Sequence, residues 1–400
     1  MSLDDKTLKL QKNGGIFLLI GILLISANLR APLTSVGSLV PVIRDSLGVS
    51  NSVIGTITTV PLLAFALISP LAPKLAYRFG LERTLFFSMI ILLIGTLLRS
   101  VTGVSTLFIG TAFIGIAISF GNVLIPGLVK MSFPLRVGAV TGLYAVVMNI
   151  FGALASGVSV PLANVELFGW QGALAIWGII TVIALFIWSP QIKQPTKLPV
   201  SEDNEEQKKT NMWGSFTAWQ VTVFMGLQSL MFYTILTWLP DILQTSGYSE
   251  SEAGWLLSLQ LFAIIPMTFI VPIIAGKMEN QKLLGALTGI VFFLGVLGLM
   301  SSEWYIILLA VILLGIACGT GFSLSMMFFT LRTKNVFEAA DLSGMAQSFG
   351  YLLAALGPVM IGVLQDVFHS WTMPFILLLI ASVIIGLAGT LAGKKKVIES

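Results

Sequence analysis

Long apolar stretches separated by short polar segments run through the whole chain. Each stretch is long enough to cross the hydrocarbon layer of a membrane as a helix, at about 1.5 Å per residue. We therefore predict twelve spans, at about 15–40, 51–73, 84–103, 105–129, 137–162, 168–189, 214–240, 252–275, 283–301, 304–331, 339–364 and 371–392. The first stretch is too long for a signal-peptide core and lacks a small-residue cleavage site, so we expect it to remain as a span.

The composition supports this interpretation and narrows the chemistry. Of 400 residues, 56% are hydrophobic and 10% are charged, whereas soluble domains carry about 25% charged residues. The single cysteine, Cys318, excludes an internal disulfide and a cysteine-based metal cluster. The single histidine, His369, falls at the outer end of a span, where we expect a solvated loop residue. We predict no metal, no cofactor and no enzymatic activity, because we find no pairing of a nucleophile with a base.

The basic residues set the orientation of the spans. With the amino terminus in the cytoplasm, the inner segments hold all but three of the 22 lysine and arginine residues; the exceptions are Arg30 and, in outer loops, Arg44 and Arg99. Cytoplasmic loops carry the excess of basic residues, so we predict a multi-pass protein of the cytoplasmic (inner) membrane with both termini inside. The net charge of +4 follows this topology and does not indicate binding to nucleic acid.

The longest polar stretch divides the predicted spans into six and six. We interpret residues 191–213, rich in charged residues and proline, as a flexible cytoplasmic linker. It would join an amino-terminal six-helix bundle, 1–190, to a carboxy-terminal one, 214–400.

The two halves repeat one another. A shift of 199 residues pairs Pro41 with Pro240, Gly48 with Gly247, Ser50 with Ser249, Ser52 with Ser251, Gly55 with Gly254 and Ala64 with Ala263; shifts of 200 and 202 pair Gly115 with Gly315, Gly121 with Gly321, and Ala153 with Ala355. We expect the paired serines to cap the second span of each half. Because six is even, both halves enter the membrane from the same side. This parallel repeat resembles the major facilitator superfamily, whose substrate sites lie near the midplane between the halves.

Arg30 is the one charge that we place near the centre of a span, in a stretch without other charges from Asn13 to Ile43. A charge at this depth costs about 2.5–3.5 kcal/mol, so such a residue faces a partner, a ligand or a water-filled cavity. Arg30 aligns with Ser229 in the repeat, and a role in only one half favours a ligand-specific function. Its planar guanidinium suits a group with two oxygens, such as carboxylate or nitro. The alternative is that Arg30 bonds carbonyls and hydroxyls of the protein.

Other polar residues gather in spans 1, 4, 5, 7, 8, 10 and 11, as expected for helices around a polar cavity. The four-residue spacing of Ser26, Arg30 and Thr34 predicts that they share one helix face. We predict two sets of solute-binding residues, first Arg30, Thr34, Asn122, Tyr144, Gln347 and Tyr351, and second Asn28, Asn149, Gln228 and Gln260. Each could instead form a helix–helix hydrogen bond, worth about 0.6 kcal/mol on average in membranes.

Three segments carry a closer resemblance. Ala27-Asn28-Leu29-Arg30-Ala31-Pro32-Leu33-Thr34-Ser35-Val36-Gly37, Gly121-Asn122-x-x-Ile125-Pro126-Gly127-Leu128-Val129-Lys130 with Phe133-Pro134, and Thr141-Gly142-Leu143-Tyr144 resemble the cyanate and nitroimidazole porter family. The resemblance implies transport of small, often anionic or nitro-bearing solutes. The superfamily's loop motif between spans 2 and 3 is degraded, with Tyr77 in place of the usual aspartate. We interpret Arg78 and Gly80, which remain, as gating or structural residues.

The sequence thus predicts an all-α membrane protein with two parallel-repeat six-helix bundles, acting as a secondary active or facilitative transporter. Alternating access would carry a small anionic or nitro-bearing solute past Arg30, in a monomer surrounded by lipid. No nucleotide-binding loop is present. The alternatives are efflux of neutral aromatic compounds on the same scaffold and a non-transporting membrane receptor.

Overall fold

The computed structural model describes residues 15–49, 57, 59–166, 168–193 and 211–398. Within these ranges the regular structure is entirely helical. The chain divides into two compact units: the first comprises Met1–Leu135 and Leu143–Lys208, and the second comprises Arg136–Gly142 and Lys209–Ser400. The change of unit at Lys208 falls within the predicted linker, of which 194–210 lie outside the described residues. The exact boundaries of the two bundles stay a prediction.

Among the described residues, nine α-helices precede the linker. They are α1 Gly15–Asn28, α2 Ala31–Leu47, α3 Thr59–Ile68, α4 Leu71–Phe79, α5 Leu81–Arg99, α6 Val104–Ser132, α7 Val137–Ala163, α8 Gly169–Ala175 and α9 Gly178–Trp188. The first six residues of α7 belong to the second unit.

Six α-helices follow the linker. They are α10 Phe216–Thr245, α11 Glu250–Lys277, α12 Lys282–Gly298, α13 Trp304–Leu331, α14 Val336–Phe368 and α15 Thr372–Ala392. Each begins within two residues of a predicted span, except α14, which begins three residues early.

Ten helical segments in the described ranges are long and apolar enough to cross a membrane, and α3 with α4 makes an eleventh if the bent pair is one span. The remaining predicted span, the ninth, corresponds to α12, an apolar helix of 17 residues. The all-helical, multi-span prediction is therefore confirmed, whereas the count of twelve stays a prediction.

Several predicted spans are broken by residues that interrupt the helical hydrogen-bond ladder. Helices α3 and α4 meet at an angle of 55° around Ser69 and Pro70, because proline lacks the N–H that a continuous helix needs. Helix α4 continues to Phe79, so Lys74 and Arg78 lie on a helix rather than in the loop that we predicted. The first span is also interrupted, between Asn28 and Ala31.

The same helix pairs pack together in both units. In the first unit α5 packs on α6, α3 on α6, α1 on α9 and α5 on α9. In the second unit the helices at the repeat-equivalent positions also pack together, namely α12 with α13, α11 with α13, α10 with α15 and α12 with α15.

Glycines identified by the repeat make these contacts. A methyl group added to Gly115 of α6 would lie 2.8 Å from the Ala64 side chain of α3. One added to Gly315 of α13 would lie 2.6 Å from the Ala263 side chain of α11. These are the residues that the alignment of the two halves pairs with one another, so the repeat extends to individual contacts. Small residues at such positions let helix backbones approach closely within a membrane.

The predicted serine cap is present in the second half. The Ser249 hydroxyl accepts the Glu252 N–H at 3.3 Å, and the Glu252 carboxylate accepts the Ser249 N–H at 2.8 Å. This reciprocal pair satisfies two backbone donors at the start of α11. The corresponding residues of the first half, Ser50 and Ser52, lie outside the described residues, and so does the side chain of Ser251.

The glycine contacts give a stability prediction. Gly115→Ala and Gly315→Ala should each lower the free energy of unfolding by about 1–3 kcal/mol, because the added methyl overpacks a helix contact. The matched controls are Gly157→Ala in α7 and Gly254→Ala in α11, where an added methyl meets nothing within 4 Å. Alanine forms helices better than glycine, so the controls should be neutral or stabilising. Thermal unfolding in detergent, followed by tryptophan fluorescence, measures the difference. Equal stability of all four variants would contradict the packing that we describe.

Candidate functional site

The break in the first span lies at Leu29 and Arg30. Helix α1 ends at Asn28, α2 begins at Ala31, and Pro32 occupies the first turn of α2. Because Pro32 has no N–H, it cannot donate to the Asn28 carbonyl as a continuous helix would require. The Arg30 carbonyl instead accepts the Leu33 and Thr34 N–H groups, both at 3.0 Å. Arg30 is therefore the residue that caps α2, and its side chain is half-buried.

Two glycines on neighbouring helices receive the side chains at the break. A methyl group on Gly121 of α6 would overlap the Leu29 side chain, and one on Gly152 of α7 would lie 2.7 Å from Arg30 Cγ. The stem of Arg30 thus lies directly over the backbone of α7. A methyl group at either position would require the Leu29 or Arg30 side chain to shift.

Thr34 fixes the same contact with a hydrogen bond. Its hydroxyl donates to the Gly152 carbonyl at 2.7 Å and lies 3.2 Å from the Arg30 carbonyl. Thr34 therefore links α2 to α7 directly beside the Arg30 stem. Thr34 was predicted to bind solute, and in this structure its hydroxyl forms a helix–helix hydrogen bond, which is the alternative.

Tyr144 and Met148 lie on the face of α7 that contains Gly152, at four-residue intervals. Tyr144 is 3% exposed, and its hydroxyl is buried without a hydrogen-bond partner among the described residues. Eight residues of helix separate Tyr144 from Gly152, a distance of about 12 Å along the axis. Asn122, half-buried, follows Gly121 on α6. Arg30, Asn122 and Tyr144 thus lie on three elements that meet around the break.

Two other predicted residues of this unit bond to the protein. The Asn28 amide donates to the Leu24 carbonyl at 2.8 Å, and its oxygen accepts the Thr181 hydroxyl of α9 at 2.6 Å. Asn28 is 1% exposed, and its bond to Thr181 holds α1 against α9. The Asn149 amide donates to the Ala145 carbonyl of its own helix at 2.9 Å.

Arg99 is a residue that the sequence analysis placed wrongly. We predicted an outer-loop position, but Arg99 is the last residue of α5 and is fully buried. Its Nη1 donates to the Pro32 carbonyl at 2.6 Å and its Nη2 to the Ser35 hydroxyl at 3.2 Å. The sequence did contain a signal for this burial. Arg99 lies on the outer side of the predicted topology, where basic residues are rare.

The second unit repeats this packing without the break. Gly321 of α13 faces Gln228 of α10, as Gly121 faces Leu29, and the four residues are repeat-equivalent. Ser229 stands where Arg30 is, and Met231 stands where Pro32 is. Without that proline, α10 continues unbroken from Phe216 to Thr245. The break and its arginine therefore belong to the first unit alone.

The predicted glutamines and tyrosine of the second unit are buried. Gln228 donates to the Ser229 hydroxyl at 2.8 Å, and Gln347 donates to the Ser343 hydroxyl at 2.8 Å. Gln260 is fully buried, with its amide nitrogen 3.8 Å from the Cys318 sulfur and its oxygen without a partner among the described residues. Tyr351 is 6% exposed. Binding of solute by these residues stays a prediction.

The residues predicted to gate occupy the end of α4. Arg78 is exposed in the last turn of α4, where a cation is favoured by the helix dipole, and lies 5.3 Å from the centre of the Phe79 ring. Gly80 has φ of +90°, a conformation that favours glycine, and its carbonyl accepts the Thr84 hydroxyl at 2.8 Å. These observations account for a structural role, and gating stays a prediction.

Comparison with known proteins finds one matching family and several similar transporters. The model of the family described as Major Facilitator Superfamily matches residues 17–284 and 221–397. The transporter YycB of Bacillus subtilis (strain 168) is 44% identical over 97% of this chain and 96% of its own length. The 2-nitroimidazole transporter of Escherichia coli (strain K12) is 39% identical over 96% of this chain and 97% of its own length.

Two more distantly related proteins also match most of this chain. The cyanate transport protein CynX of Escherichia coli (strain K12) is 25% identical over 89% of this chain and 92% of its own length. Among solved structures, the proton:xylose symporter XylE aligns with a TM-score of 0.74 at 14% identity, over 96% of both chains. At this identity, the likeness to XylE concerns the fold alone.

The contact between Asn28 and Thr181 gives a prediction. Thr181→Val should lower the free energy of unfolding by about 1–3 kcal/mol, because it leaves the buried Asn28 oxygen without a donor. Thr96→Val is the matched control: Thr96 is also fully buried, but its hydroxyl bonds only the Leu92 carbonyl of its own helix, at 2.8 Å. Thermal unfolding of both variants tests the difference. If Thr181→Val is no less stable than Thr96→Val, Asn28 does not depend on this bond.

Proposed function

The chain belongs to the Major Facilitator Superfamily, and we propose that this membrane transporter carries a small anionic or nitro-bearing solute that binds Arg30 at the break of the first span. The relatives and the family are transporters rather than enzymes, as the sequence predicted. The resemblance to the cyanate and nitroimidazole porters is likewise confirmed. The solute, the site and the mechanism are our proposal.

The observation that carries the proposal is the electropositive character of the break. Arg30 caps α2, whose amino terminus contributes a partial positive charge, and the first turn of α2 contains no acidic residue. Along the sequence, no aspartate or glutamate occurs between Asp5 and Asp45 or between Asp45 and Glu82. The Arg99 guanidinium adds a second positive charge by bonding to Pro32. An anion or an electron-rich group is the ligand that such an environment favours.

The shape of the guanidinium narrows the class of solute. Two parallel N–H groups match the two coplanar oxygens of a carboxylate or nitro group. Of the relatives named for 2-nitroimidazole and cyanate, the first carries a solute with the two coplanar oxygens of a nitro group, and the second carries a linear anion that fits only the preference for negative charge. Their names support the solute class without identifying the solute.

Tyr144 and Asn122 complete the proposed site. The buried Tyr144 hydroxyl lacks a partner within the part of the chain that the structure describes, and leaving such a group unbonded costs about 1–3 kcal/mol. A bound solute would supply the missing partner. We propose that Tyr144 and Asn122 orient the solute, while Thr34 holds Arg30 through Gly152. For Gln347 and Tyr351 of the second unit, a role in orienting the solute remains a prediction from the sequence.

Transport would follow alternating access, as secondary active transport or facilitated diffusion. No carboxylate is embedded near Arg30 in the sequence, which argues against a simple proton relay through an acidic side chain. Proton coupling would instead use the ionisation of the solute itself. We propose the cytoplasmic membrane as the location, with both termini inside, on the basis of the basic-residue distribution.

Substitution of Arg30 tests the proposed solute class. In proteoliposomes, Arg30→Gln should reduce 2-nitroimidazole uptake, as kcat/KM, by about tenfold or more, because a charge-assisted hydrogen bond is lost. Arg30→Lys keeps the charge but not the planar fork, so we expect an intermediate loss. The control is Arg44→Gln. Arg44 also lies on α2, and its Nη2 forms an ion pair with Asp45 Oδ1 at 2.8 Å.

The competing function predicts a different result. If Arg30→Gln transports as well as the parent, and neutral aromatic compounds compete with uptake while cyanate and small carboxylates do not, efflux of neutral compounds is the better description.

Tyr144 gives an independent test. Tyr144→Phe should raise the thermal stability of the solute-free protein, since it removes an unbonded buried hydroxyl. The same change should weaken stabilisation by 2-nitroimidazole in a thermal-shift titration. The control is Tyr248→Phe, which removes an exposed hydroxyl that bonds the Ser302 carbonyl at 3.1 Å and should leave solute binding unchanged. Unaltered 2-nitroimidazole binding by Tyr144→Phe would remove Tyr144 from the proposed site.

A further inference from the structure

Arg99 has an environment that stability alone does not explain. Its guanidinium is fully buried and bonds one carbonyl and one hydroxyl, and its Nε–H has no partner among the described residues. The ion pair found among the described residues is between Arg44 and Asp45, and Arg99 takes no part in it. Burying a charge that is not paired with an opposite charge is costly. A cation retained here, although no carboxylate among the described residues pairs with it, indicates that its charge is used.

The buried arginine of the second unit shows the contrast. Arg332 follows α13, is 3% exposed and donates from Nε to the Ala392 carbonyl at 2.6 Å. Its other two nitrogens bond the Leu331 carbonyl and the Gln281 side chain, and its guanidinium lies 5.5 Å from the centre of the Phe328 ring. All three nitrogens of Arg332 are thus engaged at the ends of helices, as expected for a structural arginine.

The backbone of Arg99 is held firmly. A methyl group added to Gly110 of α6 would lie 2.6 Å from Arg99 Cβ, and one added to Gly95 would lie 2.8 Å from the Gly110 carbonyl oxygen. These close approaches of α5 and α6 fix the position from which the side chain extends. The guanidinium then reaches the first turn of α2, two residues beyond Arg30.

We propose that Arg99 is a positioning residue for the Arg30 site, which holds the first turn of α2 in place and supplies a second positive charge that favours anions. Its bonds to Pro32 and Ser35 fix the turn that Arg30 caps. Its charge lies on the same turn, and no carboxylate in the described part of the chain forms an ion pair with it. This inference rests on the proposed function, because it concerns the site at Arg30.

Cysteine chemistry can separate the two proposals. Cys318 is the single cysteine, so Cys318→Ser provides a cysteine-free background in which Arg30→Cys carries the reactive thiol. Negatively and positively charged methanethiosulfonate reagents then report the local potential through the ratio of their reaction rates. Reaction of the thiol with these charged reagents tests whether position 30 is open to small solutes. An unreactive thiol would overturn the proposed function and this inference together.

The effect of Arg99 is read from that ratio. In the same background, Arg99→Gln should reduce the preference for the negative reagent by about tenfold, the scale expected for a buried charge within about 10 Å. Arg99→Lys keeps the charge and should retain the preference within about twofold. Arg44→Gln, which removes an exposed arginine of α2, should also retain it. With the thiol reactive, an unchanged preference in Arg99→Gln would overturn the electrostatic role of Arg99 alone.

A second measurement tests positioning and remains available if Arg99→Gln does not fold. With Arg30 intact, Arg99→Lys should raise the KM for 2-nitroimidazole by about tenfold and change kcat less than twofold, because it loses the fork that fixes Pro32 and Ser35. Arg332→Lys is the matched control for a buried arginine and should leave KM unchanged. A KM in Arg99→Lys equal to that of the parent would overturn the positioning role.

Discussion

The organisation of the first unit depends on the contact between the first span and the backbone of α7 at Gly152. There the Arg30 stem lies over a glycine, and the Thr34 hydroxyl donates to that glycine's carbonyl at 2.7 Å. Just before Arg30, Leu29 lies against Gly121 of α6, and Asn28 bonds Thr181 of α9. Successive residues of one short segment are thus held by three different helices. A break held in this way can keep a charged side chain in one orientation within an apolar environment.

The repeat explains why this arrangement occurs once. Both units use the same glycine to receive the same position of their first helix, Gly121 for Leu29 and Gly321 for Gln228. The scaffold is therefore shared, and the presence of the break and its charge depends on two residues, which are proline and arginine in the first unit and methionine and serine in the second. Proline interrupts the ladder of backbone hydrogen bonds, and arginine occupies the interruption. A specific site can in this way be added to a symmetric scaffold without changing how its helices pack.

The two buried arginines are bonded differently. Arg332 has all its nitrogens bonded and joins the ends of helices in the second unit. Arg99 bonds the turn beside Arg30, and its buried Nε–H has no partner in the described ranges. Their burial is similar, so our proposal for Arg99 depends on its bonding and on its place beside Arg30 rather than on burial.

The sequence by itself determined the helical membrane fold, the internal repeat and the candidate role of Arg30, because hydrophobic length, glycine and proline register and an isolated charge are local properties. It also predicted the Ser249 cap, whose partner is three residues away. The breaks at Arg30 and Pro70 were not predicted, although the prolines were visible, since a proline in a helix can also be accommodated by a kink. Only the tertiary structure decided that Thr34 and Asn28 bond other helices and that Arg99 is buried against Pro32. These contacts join residues 64 to 153 positions apart, and a pattern along the chain cannot indicate which distant helix receives a side chain.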